Sequence, residues 1–328
     1  MANIKTGITL FSLGTLYVNG ELDFEGCVRE AAKMGAQGYE IVAAQSIPSY
    51  PYISDEFLAL VERCKDKYGI APACYAAQMD CGMLMDRDLT EDEMVARAIT
   101  DVMSANRLGC TVMREQYLLS PHGLERLAPY AEAFNVRVGI EIHNPESPVT
   151  PAMQEYLNVI EKTGSKYIGF IPDFGCFATG PNKPIWDRAL SKGATVELLQ
   201  RCAQLKYDEV PRDEALAMME EDCKKTPALS DAINSFYGFV QFKRDIKKEL
   251  DGLLRIMPYC FEMHGKCHYV DENLHEPAIP YEEILPVIAS TDFDGFIMTE
   301  YEDEGGYDAV LQCTRHIAMV NKILNKSK

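Results

Sequence analysis

Two short runs decide the fold: VRVGIEIH at residues 136–143 and IGFIPD at residues 168–173. Both are apolar and β-branched, and each stops at an ionisable side chain, His143 and Asp173. Apolar residues at helical spacing follow each run. A strand, a helix and a second strand in that order read as one parallel βαβ unit.

Six further runs of the same kind lie outside this unit: Gly7–Leu13, Gly38–Val42, Ala71–Ala77, Cys110–Gln116, Cys260–Lys266 and Gly295–Tyr301. Helical segments follow them as well. Phe24–Met34 has Asp23 as a cap and Gly35 as a stop, and Glu91–Leu108 is opened by Thr90. Eight strand–helix repeats predict closure into a (β/α)8 TIM barrel, α/β in class, with residues 1–328 as one barrel domain. One interval is too long. Between Asp173 and Cys260 the expected helix Asp245–Ile256 is joined by a helical insertion at about 176–244, read as Thr195–Leu205, Arg212–Lys225 and Leu229–Phe242. It follows the C-terminal end of a strand, so it belongs on the active-site face, as decoration, lid or partner surface. The tail NKILNKSK is expected to fray.

Composition narrows the function classes. The net charge of -18 argues against nucleic acid and against an anionic membrane, both of which select basic surfaces. No apolar stretch approaches a membrane span, and no signal-peptide pattern opens the chain. The eleven cysteines include no C-x-x-C pair; they read as small core residues in a reducing, cytoplasmic setting. No G-x-G-x-x-G fingerprint opens a helix.

In a barrel, chemistry sits where strands end. Run five ends in Glu141, His143 and Asn144, run six in Asp173, run seven in His264 and Lys266, and run eight in Glu300. Residues two apart on a strand share a side, which pairs Glu141 with His143 and His264 with Lys266. Three carboxylates meeting in one buried place cannot all stay ionised unless a cation joins them. Glu141, Asp173, His264 and Glu300 are therefore the expected ligands of one divalent metal. The carboxylate majority favours Mn2+, with Mg2+, Co2+ or Zn2+ compatible. For Glu300, the acidic run Glu302–Glu304 offers a rival surface reading. Glu40 could reach a substrate or support a loop. Arg114 and Glu115 could pair with each other, and His268 and His275 could touch substrate. His122 and His316 read as surface or helix residues. Trp186 could stack on a ring ligand or simply pack.

Glu–Asp–His–Glu on runs five to eight, GAQGYEIV at 35–42 and MHGK at 263–266 together resemble the xylose isomerase-like superfamily of sugar isomerases and epimerases. Ketose epimerases of that superfamily use two glutamates matching Glu141 and Glu300, but His143 departs from their pattern. With the insertion, the chain looks closer to the large (alpha) subunit of C-glycoside deglycosidases. That resemblance implies His143 as the base, with Glu141, Asp173, His264 and Glu300 on the metal and a small β-rich second subunit in a hetero-oligomer. The implied reaction is cleavage of a 3-oxo-C-glycoside of a flavonoid-like phenol, by removal of the sugar C2 proton and β-elimination. Lys266 would bind a sugar hydroxyl or stabilise an oxyanion. The alternatives are a metal-dependent ketose isomerase or epimerase, an apurinic-site nuclease, which six histidines and the acidic charge disfavour, and a non-catalytic scaffold.

Overall fold

A computed structural model of the protein describes residues 2–326 except 117, 239–241, 244 and 304. Its eight parallel strands are β1 (Asn3–Thr9), β2 (Tyr39–Val42), β3 (Pro72–Ala76), β4 (Val112–Glu115), β5 (Arg137–Ile142), β6 (Ile168–Pro172), β7 (Met263–Cys267) and β8 (Asp294–Tyr301). They follow each other around the sheet in sequence order, with β1 also paired to β8. The ring closes between β6 and β7 through two isolated bridges, Phe170 with Cys260 and Asp173 with His264.

Two strands shift from their expected places. The first begins at Asn3, because Asn3–Ile8 pairs with β8, and ends at Thr9. Thr9 caps a 3-10 turn over Leu10–Leu13 by accepting from the Phe11 amide. The seventh begins only at Met263. Cys260 and Phe261 precede it, and the Phe261 amide donates to the Phe170 carbonyl across the gap.

The outer helices form as their caps dictate. Asp23 accepts from the Gly26 amide, Gly35 takes a left-handed φ of +87° past the helix end, and Thr90 with Glu93 makes a complete capping box. The tail does not fray where expected: the last helix runs Ala309–Lys326, held by the buried Cys313, Ile317 and Val320. Residues 327 and 328 lie outside the described residues.

The interval between β6 and β7 holds helices Lys183–Ser191, Val196–Tyr207, Arg212–Met218, Glu220–Lys225 and Ala228–Phe236. They enclose an apolar core of their own, with Leu199, Cys202, Leu229, Ile233 and Phe236 buried. Three details depart from expectation. Lys183–Ser191 is a further helix beyond the three expected, capped by Asn182 through the Ile185 amide. The single helix Arg212–Lys225 is broken at Met219 (φ −107°, ψ 10°), which turns inward and is fully buried. Ala228–Phe236 ends before residues 239–241, which lie outside the described residues.

Inside the barrel the strands alternate strictly. Val112, Ile171 and Met298, with Cys74 and Phe261, form an apolar plug. Two residues further along the same strands stand Arg114, Asp173 and Glu300, so charged groups sit directly on a dry floor. Among the described residues no helix is long and apolar enough to cross a membrane.

Candidate metal centre

Glu141, Asp173, His264 and Glu300 are all buried, and one ligand atom from each lies within 4.8 Å of the others. Three of the four are divided in the same way, with one atom tied to protein and the other left free. Glu141 Oε2 accepts from Arg114 Nη1 at 2.8 Å. Asp173 Oδ1 accepts from the Gly175 amide at 2.6 Å. His264 Nε2 lies 3.0 Å from Glu40 Oε2; a carboxylate only accepts, so Nε2 carries the proton and Nδ1 the lone pair.

The free ends converge. His264 Nδ1 stands 2.9 Å from Glu141 Oε1 and 3.2 Å from Glu300 Oε2. Nδ1, Glu300 Oε2 and Asp173 Oδ2 are all buried; Nδ1 has no donor or acceptor suited to it, and the two oxygens share only the Lys266 ammonium. A lone pair facing anionic oxygens in a dry place is unfavourable unless a cation lies among them. The carboxylate and imidazole that hold each other through Glu40 and His264 form the support that metal-binding histidines ordinarily have.

Local charge points the same way. Glu40, Glu141, Asp173 and Glu300 outnumber the two permanent cations beside them, Arg114 and Lys266, so the site is acidic on balance; burial pushes Asp173 up to about 6. Glu262, below them, does not add to this, because burial and then the Glu40 charge push it up to about 8. Burial alone would raise Glu141, but Arg114 and His264 outweigh it and hold the carboxyl at about 2. Burial opposes a charge on His264 too, yet Glu40 and Glu300 drive its pKa well above the ordinary imidazole value. In the absence of a metal, a proton serves in its place. The residues present fit a divalent cation, and this buried acid–histidine cluster could hold one.

Lys266, itself buried, lies 3.1 Å from Asp173 Oδ2, 3.2 Å from Glu300 Oε2 and 3.4 Å from Glu302 Oε2. His143 lies just past β5, about one-third exposed, with Nε2 3.7 Å from Asp173 Oδ2. Its Nδ1 meets the Asn144 carbonyl at 2.9 Å. A carbonyl cannot donate, so Nδ1 holds the proton and Nε2 is left as an acceptor at the mouth.

Two cavities open at this mouth. The first, about 580 Å3, is lined by Glu40, Arg114, Glu141, His264 and Glu300 among others. The second, about 220 Å3, lies under the insertion. His143, Lys266 and Glu302 line both.

The other expected positions sort out by burial. Arg114 does not pair with Glu115: neighbours on a strand face opposite ways, and Arg114 takes Glu141 instead. Glu115 is left buried, and burial, with Asp101 next, pushes it up to about 8. Glu40 supports His264. His268 lines the second cavity, while His275 is exposed beside Glu282. His122 is exposed and meets Glu91. His316 is helical as expected but not at the surface: it is fully buried. Trp186 packs, stacked on Phe236 with ring centroids 6.4 Å apart at 17°. Glu300 points into the mouth, whereas Glu302 is at the rim, 40% exposed; Glu304 lies outside the described residues. Sequence reasoning missed the Arg114–Glu141 pair. The available signal was that buried charges need partners and that Arg114 shares the inward parity of its strand.

A family model described as xylose isomerase-like TIM barrel matches residues 28–317. The chain belongs to that family. It is 29% identical over 308 residues to the 3'-dehydrocarminate deglycosidase alpha subunit of a Microbacterium species, covering 91% of this chain and 88% of that one. It is 27% identical over 310 residues to the C-glycoside deglycosidase alpha subunit of Microbacterium trichothecenolyticum, covering 90% and 83%. In fold it is similar to a D-allulose 3-epimerase from a Methylomonas species, with a TM-score of 0.58, 12% identity and coverage of 98% and 100%. With such relatives and this site, the xylose isomerase-like chain is an enzyme.

Proposed function

We propose that this xylose isomerase-like chain is the catalytic subunit of a heteromeric C-deglycosidase that cleaves the C–C bond of 3-oxo-C-glycosides of flavonoid-like phenols. The observation that carries the reading is His143, an imidazole at the mouth with Nε2 facing the buried acid–histidine cluster. The names of the relatives support the substrate class.

Glu141, Asp173, His264 and Glu300 would hold one divalent metal, and their three carboxylates favour Mn2+. When bound, the metal would polarise a sugar oxygen and stabilise negative charge on it. The carbonyl at sugar C3 acidifies the C2–H. His143 Nε2 takes that proton, and the pair left behind delocalises onto the C3 oxygen. As the C3 carbonyl re-forms, the pair becomes the C1–C2 double bond. The C1–aglycone bond breaks, and the aglycone carbon leaves with its electrons and takes up a proton. Lys266 would bind a sugar hydroxyl or stabilise the C3 oxyanion. Glu141 Oε2 is already tied to Arg114, whereas His143 Nε2 is not hydrogen-bonded among the described residues, which favours His143 over a glutamate-driven ketose epimerase.

A small β-rich second subunit would complete the enzyme. The rim across the barrel from the insertion accumulates exposed apolar side chains, including Val18 after β1, Tyr52 after β2, Met85 after β3 and Leu118 after β4, and suits such a partner. With all eleven cysteines unpaired, we place the chain in the cytoplasm.

The test is His143→Ala, assayed with its partner on a 3-oxo-C-glucoside. Cleavage should fall by more than about a thousandfold, in line with the loss of a general base, while metal content is retained. Loss of the metal as well would make His143 a ligand and remove its role as base. Epimerisation of free ketoses by the chain alone would favour the isomerase reading instead.

A further inference from the structure

The second cavity has walls unlike those of the first. Ala178, Ile185, Phe236, Phe242, Ala278 and Ile279 make it largely apolar. Ile185, Phe236 and Phe242 come from the interval between β6 and β7, so the inserted helices build one side of it. Polar side chains interrupt the apolar wall, and four of them are more than nine-tenths buried: Asn144, Asn182, Lys266 and His268. Asn182 and Lys266 are already engaged, with the Ile185 amide and with Asp173 and Glu300. Asn144 Oδ1 and His268 Nδ1 have no hydrogen-bond partner.

The chemistry of these two atoms is set by their surroundings. A neutral imidazole has one nitrogen without a proton, so the unpartnered Nδ1 of His268 can accept a hydrogen bond. Burial favours that neutral form, pushing the imidazole down to about 4. The Asn144 oxygen is likewise an acceptor. Two buried acceptors in an apolar slot call for a flat, mostly apolar ligand that carries hydroxyl donors.

We propose that this cavity binds the phenolic ring system of the substrate, with Asn144 and His268 accepting hydrogen bonds from its hydroxyls and the inserted helices supplying the apolar wall. This rests on the deglycosidase reading and assigns its parts to places. The sugar occupies the acidic cavity, the ring occupies the apolar one, and the bond between them crosses at His143 and Lys266, which line both.

The test is direct binding without turnover. The full-length, metal-loaded protein is titrated with apigenin and with unsubstituted flavone, followed by calorimetry and by Trp186 fluorescence. Trp186 is the only tryptophan and stacks on the cavity residue Phe236. Apigenin should bind and quench Trp186, and flavone should bind about tenfold more weakly, the cost of leaving buried acceptors unmet. His268→Phe keeps a ring but removes the acceptor, and should weaken apigenin about tenfold without affecting flavone. Gly180→Phe should block both, because a side chain there starts in open space at the cavity wall. Equal binding of apigenin to wild type and Gly180→Phe, or no binding to wild type, overturns the proposal. Retained metal content shows that each variant is folded. Intact apigenin binding without any cleavage of a 3-oxo-C-glucoside overturns the reaction and leaves the cavity assignment standing.

Discussion

Strand β7 has a histidine on each side of it, and the two could hardly differ more. His264 points into the barrel among carboxylates, and its Nδ1 is unpartnered. Across the strand, Gly265 leaves room for His316 from the last helix, whose Cε1 would lie 2.9 Å from a Cβ at that position. His316 is fully satisfied. Tyr281 Oη gives its hydrogen to the Lys266 carbonyl at 2.7 Å, so it accepts from His316 Nε2 at 2.7 Å. Nδ1 then accepts from Thr299 Oγ1 at 2.9 Å. Burial pushes His316 down to about 3, whereas anionic neighbours push His264 up. A buried histidine is thus a candidate ligand or a structural prop according to what its nitrogens face. Here the prop also fixes the backbone of Lys266 from behind.

The contrast can be broken most sharply at His264. His264→Gln should lower metal affinity by more than about a hundredfold, since it removes one of the four proposed ligands, and abolish turnover with it. Metal content after dialysis measures this, and a fully loaded variant would end the assignment. A smaller effect belongs to Glu40→Gln, which leaves the four ligands in place but loosens His264. Metal affinity should fall about 10–100-fold, read by competition with a chelator; an unchanged affinity would make Glu40 a bystander.

His316→Gln should touch the metal least. It should cost about 2 kcal/mol of stability through groups left unpaired in the outer layer, with metal content unchanged. The pH dependence sharpens the point. The folded pKa of His316 is depressed, so its stabilising contribution is present in full above about 6.5 and is lost as pH falls toward about 3, at ~1.4 kcal/mol per unit. The deficit of the variant in urea unfolding should therefore shrink from pH 7 to pH 5. A deficit that is constant with pH would contradict the neutral, buried imidazole.

Local signals in the sequence set the strand–helix rhythm, the caps at Asp23 and Thr90, the long interval before Cys260 and the three acids and the imidazole at strand ends. These are local properties: alternation and cap chemistry act within a few residues, and parity along a strand fixes which side chains face inward. Only the tertiary structure decided the rest. The Arg114–Glu141 and Glu40–His264 pairs join residues 27 and 224 positions apart, and nothing local marks them. The burial of Met219 breaks a helix that its own sequence would have continued. His264 and His316 are alike as letters, and their opposite fates come from which charges and hydroxyls the closed barrel brings against each ring, because electrostatic environment depends on distance in space and not along the chain.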